Sequence, residues 1–436
     1  MIVKLRIPAA VALVAFAAIS SAQNAYVSGV SANFVTVVNT ATNTSIGTVV
    51  VGNLPRGVVV NPAGTFAYVA VSGSTNVAVI STATTTVATN ITVGSQPYAV
   101  ALNPAGTRLY VSNQGSNTVS VVDTSNNTVI ATVPVGSQPY GLAVNSAGTR
   151  LYVTNSGAGS VSVIDTSNNT VIATVTSGIG GTPVGVVVTP SGSTAYVATN
   201  NGTVAVLNTG TNTVTTSITV GNQPLGIAMN PAGTRAYVPN TIGNTVSVID
   251  TSTNTVISTI TGLNLPYSGP AVNAAGTLLY VPNLGGNTVS LISTASNTIT
   301  GTFAAASGPA AVGLQATVPA PTVTAISPTS GPAAGGTAVT ITGTSFTGSP
   351  TVTIGGVAAT SVTVVSATSI TATTGVGTPG TGSVVVTTPG GSNAANTLFT
   401  YVGPTVTGIS PASGPAAGGT AVTITGTNFT GTTGVT

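Results

Sequence analysis

From residue 24 to about residue 315 the chain alternates short apolar runs with polar turn clusters. Residues 97–133 read PYAVALNPAGTRLYVSNQGSNTVSVVDTSNNTVIATV, and residues 139–175 read PYGLAVNSAGTRLYVTNSGAGSVSVIDTSNNTVIATV. In the first stretch the runs are PYAVAL, LYVSN, TVSVV and TVIATV, and the breaks are NPAGT, NQGSN and DTSNN. Runs near five residues, rich in β-branched side chains and lacking a helical period, predict strands. Gly, Asn, Asp, Ser and Pro in the breaks supply the backbone angles and side-chain acceptors that tight turns need.

The unit is copied along the chain. Tyr-Val recurs at Tyr26, Tyr68, Tyr110, Tyr152, Tyr196, Tyr237 and Tyr280, at spacings of 41–44 residues. Four strands per period of about 42 residues predict the blade of a β-propeller. The chain enters at Ala25-Tyr26, inside a second strand. First strands begin at Pro55, Pro97, Pro139, Pro183, Pro224, Tyr267 and Pro309. The last, PAAVGLQ at 309–315, has no second strand after it. Pairing it with the N-terminal AYVSG closes a ring of seven blades and removes two exposed sheet edges. An open β-solenoid leaves that match of phase unexplained.

The unit, with Tyr152-Val153-Thr154-Asn155 in its second strand, resembles the YVTN family of propeller repeats over about residues 24–315. Such repeats occur in surface-layer and other exported prokaryotic proteins. The resemblance implies that the Pro-led strand lines a central channel and that the strand after the DTSNN-type turn lies outermost.

From residue 316 the period changes. A Pro/Ala linker covers 316–320. Then PTVTAISPTSGPAAGGTAVTITGTSFTG at 321–348 recurs at 404–431 as PTVTGISPASGPAAGGTAVTITGTNFTG. The first copy continues through VTIGGVAATSVTVVSATSITATT, VVVTTPGG and TLFTYVG. Its GGT turn, GG hairpin and closing FTY resemble an IPT/TIG domain, an immunoglobulin-like β-sandwich, over 321–403. The second copy, 404–436, holds only the start of such a domain. Half a sandwich cannot bury its inner face, so a longer native chain is expected. The expected fold is all-β throughout.

Composition narrows the chemistry. Only 2% of residues are charged, with no Cys, no His and no Trp; the acidic residues are three Asp. Thr, Ser, Asn and Gly must cover the surface. Two of the six cations, Lys4 and Arg6, open residues 1–22, which read as a secretory leader: a positive start, an apolar run from Ile7 to Ile19, and small residues at Ser20-Ser21-Ala22. The rest of the chain holds four Arg against three Asp. That is no footprint for nucleic acid or an anionic membrane. No transmembrane span is expected once the leader is removed. An uncleaved anchor is the alternative.

Without His or Glu there is no ordinary general acid or base, and a Ser–His–Asp arrangement is impossible. Without Cys or His there is no zinc or copper site, and no acidic cluster suggests calcium. No cofactor is expected. Arg108, Arg150 and Arg235 stand two residues before a motif Tyr, in the same three repeats that end their third strand with Asp123, Asp165 and Asp250. Pairing 113 with 118 in the hairpin sets 108 opposite 123. These are read as structural cross-strand ion pairs, weak where exposed.

One ring of positions is a candidate ligand site. After the strand-leading Pro, or at its aligned place, come Arg56, Tyr98, Tyr140, Val184, Leu225, Ser268 and Ala310; Gln96, Gln138 and Gln223 stand just before it. If these strands line a channel, Arg56, Tyr98, Tyr140 and the three Gln rim one mouth and suit a glycan or protein ligand. The competing reading packs Tyr and Pro between blades. Together these features predict an exported, non-catalytic, cell-surface or extracellular protein. The propeller serves as a rigid binding or adhesion head and the TIG sandwiches as spacers. A ligand-processing propeller, such as a lyase or glycan-active enzyme, and a self-assembling envelope component are the alternatives.

Overall fold

A computed structural model describes residues 23–305, 307–316, 319–348, 350–388, 390–430 and 434. The leader at 1–22 lies outside the described residues, as do 317 and 318 of the linker. The described residues form two compact units, one within 23–316 and one within 319–434.

The first unit is a ring of seven four-stranded antiparallel sheets. Six blades use four consecutive strands each; one is built from Pro97–Leu102, Arg108–Asn113, Thr118–Asp123 and Thr128–Pro134. The seventh takes Pro309–Leu314 as its first strand and pairs it with Asn24–Gly29, setting Val27 opposite Val312. The ring thus closes by joining its two ends. The inner strand is shortest in two blades, at Ala228–Met229 and Ala271–Val272. Those blades carry Pro239 and Pro282 in the second strand, where the others have Ser, Thr or Ala. A proline cannot donate to the ladder beside it.

The second and third strands are buried on both faces, so they read as continuous apolar runs. Burial comes from the neighbouring blade. Tyr110, Val119, Val121 and Val133 pack with Leu151, Val153 and Ile164 of the next sheet. Each motif Tyr, from Tyr26 to Tyr280, is at most 2% exposed. A side chain such as Leu151, fully buried in this way, contributes about 1.5–3 kcal/mol. The Asn that ends the motif is buried as well: Asn113 Nδ2 donates to Ser120 Oγ at 2.9 Å and Thr118 Oγ1 at 3.0 Å. Asn155, Asn240 and Asn283 repeat the arrangement.

The second unit contains an immunoglobulin-like sandwich. One sheet runs Thr322–Ser327, Ala338–Thr344, Ser369–Thr373, Thr360–Ser366; another runs Val357–Ala358, Thr351–Ile354, Val384–Thr388, Gly391–Ser392. Strand Ala338–Thr344 alternates exposed and buried residues, as a strand facing a core on one side must. Gly355 and Gly356 turn their hairpin at φ of 59° and 82°. Phe399 and Tyr401 meet edge to face, with ring centroids 5.1 Å apart. Among the described residues the second copy shows only the hairpin Thr405–Ser410 with Thr423–Thr427. Ile326 and Val339 are 3% exposed in the first copy, whereas their counterparts Ile409 and Val422 are 52% and 46% exposed.

Candidate functional site

The seven inner strands enclose an axial cavity of about 230 Å³. Its wall is made of three stacked rings, taken from successive positions of each inner strand. The outer ring contains Arg56, Tyr98, Tyr140, Val184, Leu225 and Ser268, with Ala310 completing it. The middle ring includes Gly57, Ala99, Gly141, Gly185, Gly269 and Ala311. The inner ring includes Val58, Val100, Leu142, Val186, Ile227 and Val312.

The middle ring is small because neighbouring inner strands nearly touch there. A Cβ at Gly141 would lie 2.4 Å from the Val184 carbonyl oxygen, and one at Gly226 would lie 2.0 Å from that of Ser268. A Gly or Ala two places after the leading position is visible in every repeat of the sequence. Nothing within one repeat explains it, so its meaning appears only when blades are set side by side.

A bulge aims the outer ring. Pro97 pairs with Asn113 but Val100 pairs with Val111, leaving one extra residue in the inner strand. The freed amide of Ala99 donates to Ser112 Oγ at 2.9 Å, and that hydroxyl donates to the carbonyl of Tyr140 in the next blade at 2.9 Å. Thr154 does the same, taking the Gly141 amide at 2.7 Å and giving to the Val184 carbonyl at 2.6 Å. Ser28 donates to the Arg56 carbonyl.

Four side chains converge over the mouth. The Arg56 guanidinium carbon stands 5.1 Å from the centroid of the Tyr98 ring. Its Nη1 donates to the Tyr267 hydroxyl at 3.3 Å and its Nε to Ser72 Oγ at 3.5 Å. Tyr98 donates to the Tyr140 hydroxyl, and the two rings lie 4.0 Å apart between centroids with 37° between planes. Burial pushes the Tyr98 and Tyr140 phenols well above their ordinary range; nearby Tyr267 adds to both shifts and Arg56 opposes both. Both phenols therefore remain protonated at neutral pH.

Tyr267 is the residue that reading the repeats missed. Pro266 bridges to Asn283 as Pro97 pairs with Asn113, and Ala271 faces Tyr280 as Ala101 faces Tyr110. That blade carries one residue more than the others in between. Tyr267 and Ser268 thus share the place that Tyr98 holds alone, and Tyr267 reaches Arg56 of a blade that is not its neighbour. The spacing of 43 residues to Tyr280 was the available signal.

Gln96, Gln138 and Gln223 do not join Arg56, Tyr98 and Tyr140 in the cavity wall. They occupy the turn into the inner strand at φ of 52°, 51° and 55°, and their carbonyls accept from the amides of Gln114, Ser156 and Thr241 at 2.9 Å. Leu54 and Leu265 adopt the same conformation, so the turn uses the backbone and not the amide side chain. The Gln96 and Gln138 side chains lie over the hairpin glycines Gly115 and Gly157 of their own blades.

The register sets Arg108 opposite Asp123, Arg150 opposite Asp165 and Arg235 opposite Asp250. Nη1 to Oδ2 distances are 2.8, 2.7 and 2.7 Å. Each Asp also uses Oδ1 to take the amide and hydroxyl of the Ser two residues on, as in Asp123 with Ser125 at 3.0 and 2.7 Å. Those bonds, followed by the Arg, hold the three carboxyls below their ordinary range. None of the three pairs borders the cavity. Among the described residues no group of three or more Asp is placed to hold a metal ion.

Comparison with known proteins agrees with this architecture. Residues 321–401 and 404–436 match the IPT/TIG domain family, and residues 81–190 match the family described as lactonase, 7-bladed beta-propeller. A search of curated protein sequences finds no match. Among solved structures the chain is similar to Kuenenia stuttgartiensis hydrazine synthase, at 22% identity and TM-score 0.58 over 62% of this chain and 92% of that one. It is similar to a functionally unknown protein from Desulfotomaculum acetoxidans, at 16% identity and TM-score 0.59 over 67% and 99%. It is also similar to the dihydro-heme d1 dehydrogenase NirN in complex with DHE, at 11% identity and TM-score 0.51 over 66% and 74%. Identities this low speak for the fold alone. The chain is all-β: a seven-bladed β-propeller followed by sequence that matches the IPT/TIG domain family.

Proposed function

We propose that this is an exported, non-catalytic protein of the cell surface or extracellular space, in which the propeller is a rigid binding or adhesion head and the IPT/TIG modules are spacers. The observation that carries the reading is the make-up of the cavity. Its polar side chains are a guanidinium, phenols held protonated by burial, and one Ser hydroxyl. Such groups bind and orient; they do not exchange protons near pH 7. The leader-like start at 1–22 supports export, and a surface with almost no charge suits a protein whose contacts are made by shape.

The likeness of residues 81–190 to a lactonase propeller favours a second reading, a lactone-processing enzyme. That chemistry needs an activated water, and the cavity offers a guanidinium, phenols that resist ionisation and one Ser hydroxyl, none of them a base at neutral pH. The test expresses the full chain and asks two things: whether the propeller is labelled on intact cells or in the medium with a new N-terminus at Gln23, and whether purified protein opens simple lactones. Surface labelling with no lactone turnover is expected. Retention inside the cell, or turnover abolished by Arg56→Gln, would overturn it.

A further inference from the structure

We infer that the axial cavity binds a small organic carboxylate, with the acid group on Arg56 and the apolar body against Tyr98 and Tyr140. The inference rests on the reading of the propeller as a binding head and names the class of ligand it takes.

Arg56 differs from the other arginines of the propeller. Arg108, Arg150 and Arg235 each hold an Asp within 2.8 Å. Arg56 holds two hydroxyls and the face of an aromatic ring. It is half-buried in a wall otherwise built of Gly, Ala, Val, Leu, Ile, Pro and Tyr with one Ser. A guanidinium withdrawn from water without a counter-charge favours an anion, and its planar fork matches both oxygens of a carboxylate. The Tyr267 hydroxyl accepts from Arg56, which leaves its own proton to donate to the same carboxylate.

The rest of the cavity selects what the carboxylate is attached to. Tyr98 and Tyr140, locked to each other, present ring surface next to Arg56. Beneath them lie the small middle ring and an apolar floor that includes Val58, Leu142 and Ile227. Such a floor has no partners for the hydroxyls of a sugar, and each hydroxyl buried there unpaired weakens binding. An aryl or compact alkyl body loses nothing. A cavity of about 150 Å³ is enough for benzene; about 230 Å³ leaves room for that ring and a carboxylate.

The experiment is a calorimetric titration of the full chain with benzoate and with benzamide, its uncharged counterpart of the same shape. Benzoate should bind one per chain at millimolar or lower concentration, and benzamide should bind about ten- to hundredfold more weakly, as loss of a charged hydrogen bond implies. Arg56→Gln should weaken benzoate by a similar factor and erase the difference between the probes. Arg56→Lys, which keeps the charge but loses the fork, should fall between. Arg108→Gln, far from the cavity, should leave binding unchanged. Thermal unfolding of each variant shows whether the fold survives, and Tyr267→Phe gives a second probe of the same contact that spares the guanidinium; it should weaken benzoate severalfold. Equal binding of the two probes, no benzoate binding at millimolar concentration, or unchanged benzoate binding by Arg56→Gln overturns the assignment. Surface labelling is read separately. If it persists while benzoate binding fails, the ligand class is wrong and the binding-head reading stands; if the chain stays inside the cell, that reading fails whatever the titration gives.

Discussion

Ser112 Oγ donates to the carbonyl of Tyr140 in the next blade at 2.9 Å while accepting the amide of Ala99 in its own blade at 2.9 Å. One buried hydroxyl therefore satisfies an amide freed by a bulge and ties two blades together. Removing it leaves a buried donor without a partner, which costs about 1–3 kcal/mol. Ser112→Ala should lower the free energy of unfolding, read from chemical denaturation, by that amount, and Thr154→Val, which keeps the side-chain shape, should do the same. Variants as stable as the parent would show that the bulge finds other partners.

Ring closure can be tested by shortening. Pro309–Leu314 supplies the first strand of the blade that begins with Asn24–Gly29. A chain ended before Pro309 exposes the free edge of Asn24–Gly29 and strips Val312 from the cluster that includes Val27, Val38 and Tyr280. It should melt at a clearly lower temperature than a chain ended at 316, and it should aggregate on heating. Equal melting temperatures would mean that the other six blades hold the ring shut.

Asp123 has two roles that substitution can separate. Oδ2 takes Arg108 and Oδ1 takes Ser125. Asp123→Asn keeps an oxygen for the turn and should lose little stability. Asp123→Ala loses both contacts and should lose more than Arg108→Ala. The double variant Arg108→Ala with Asp123→Ala should lose less than the sum of the two single changes. Strict additivity in unfolding free energies would dissolve the pair.

The pH profile should be flat across the neutral range and fall at both ends. His is absent and the described residues contain no Lys, Glu or Cys, so nothing in a side chain titrates between about pH 5 and 9. The three aspartates have lowered folded values, chiefly through their Ser partners. Their contribution is present above the unfolded value near 3.9 and fades as pH falls through the folded value. The motif tyrosines, Tyr26 to Tyr280, have folded values raised by burial. Their contribution is complete below the unfolded value near 10 and is lost as pH rises toward the folded values. Thermal unfolding from pH 3 to 12 should show a small acid decline and a steep alkaline one, because seven phenols act together. A steep change between pH 5 and 9 would point to a bound ion or partner.

Much of this molecule is legible in its sequence for one reason: the contacts that define a blade are local. A four-residue turn sets Asn113 opposite Thr118, and the pairing of Arg108 with Asp123 follows by counting. The phase of the two chain ends carries the closure in the same way, since a first strand at 309 lacks only the second strand found at 24. The candidate site is another matter. Gln96, Gln138 and Gln223 neighbour Tyr98, Tyr140 and Leu225 in the chain, yet a left-handed residue before each Pro leaves their side chains out of the cavity wall. Tyr267, masked by an inserted residue, lies 211 positions from the Arg56 that it contacts. The sequence by itself determined the strands, their hairpin registers, the number of blades and the partners of three arginines, because those depend on spacing within a repeat. Only the tertiary structure decided which side chains meet over the axis and how small the middle ring must be, because those depend on how closely seven separate inner strands approach one another.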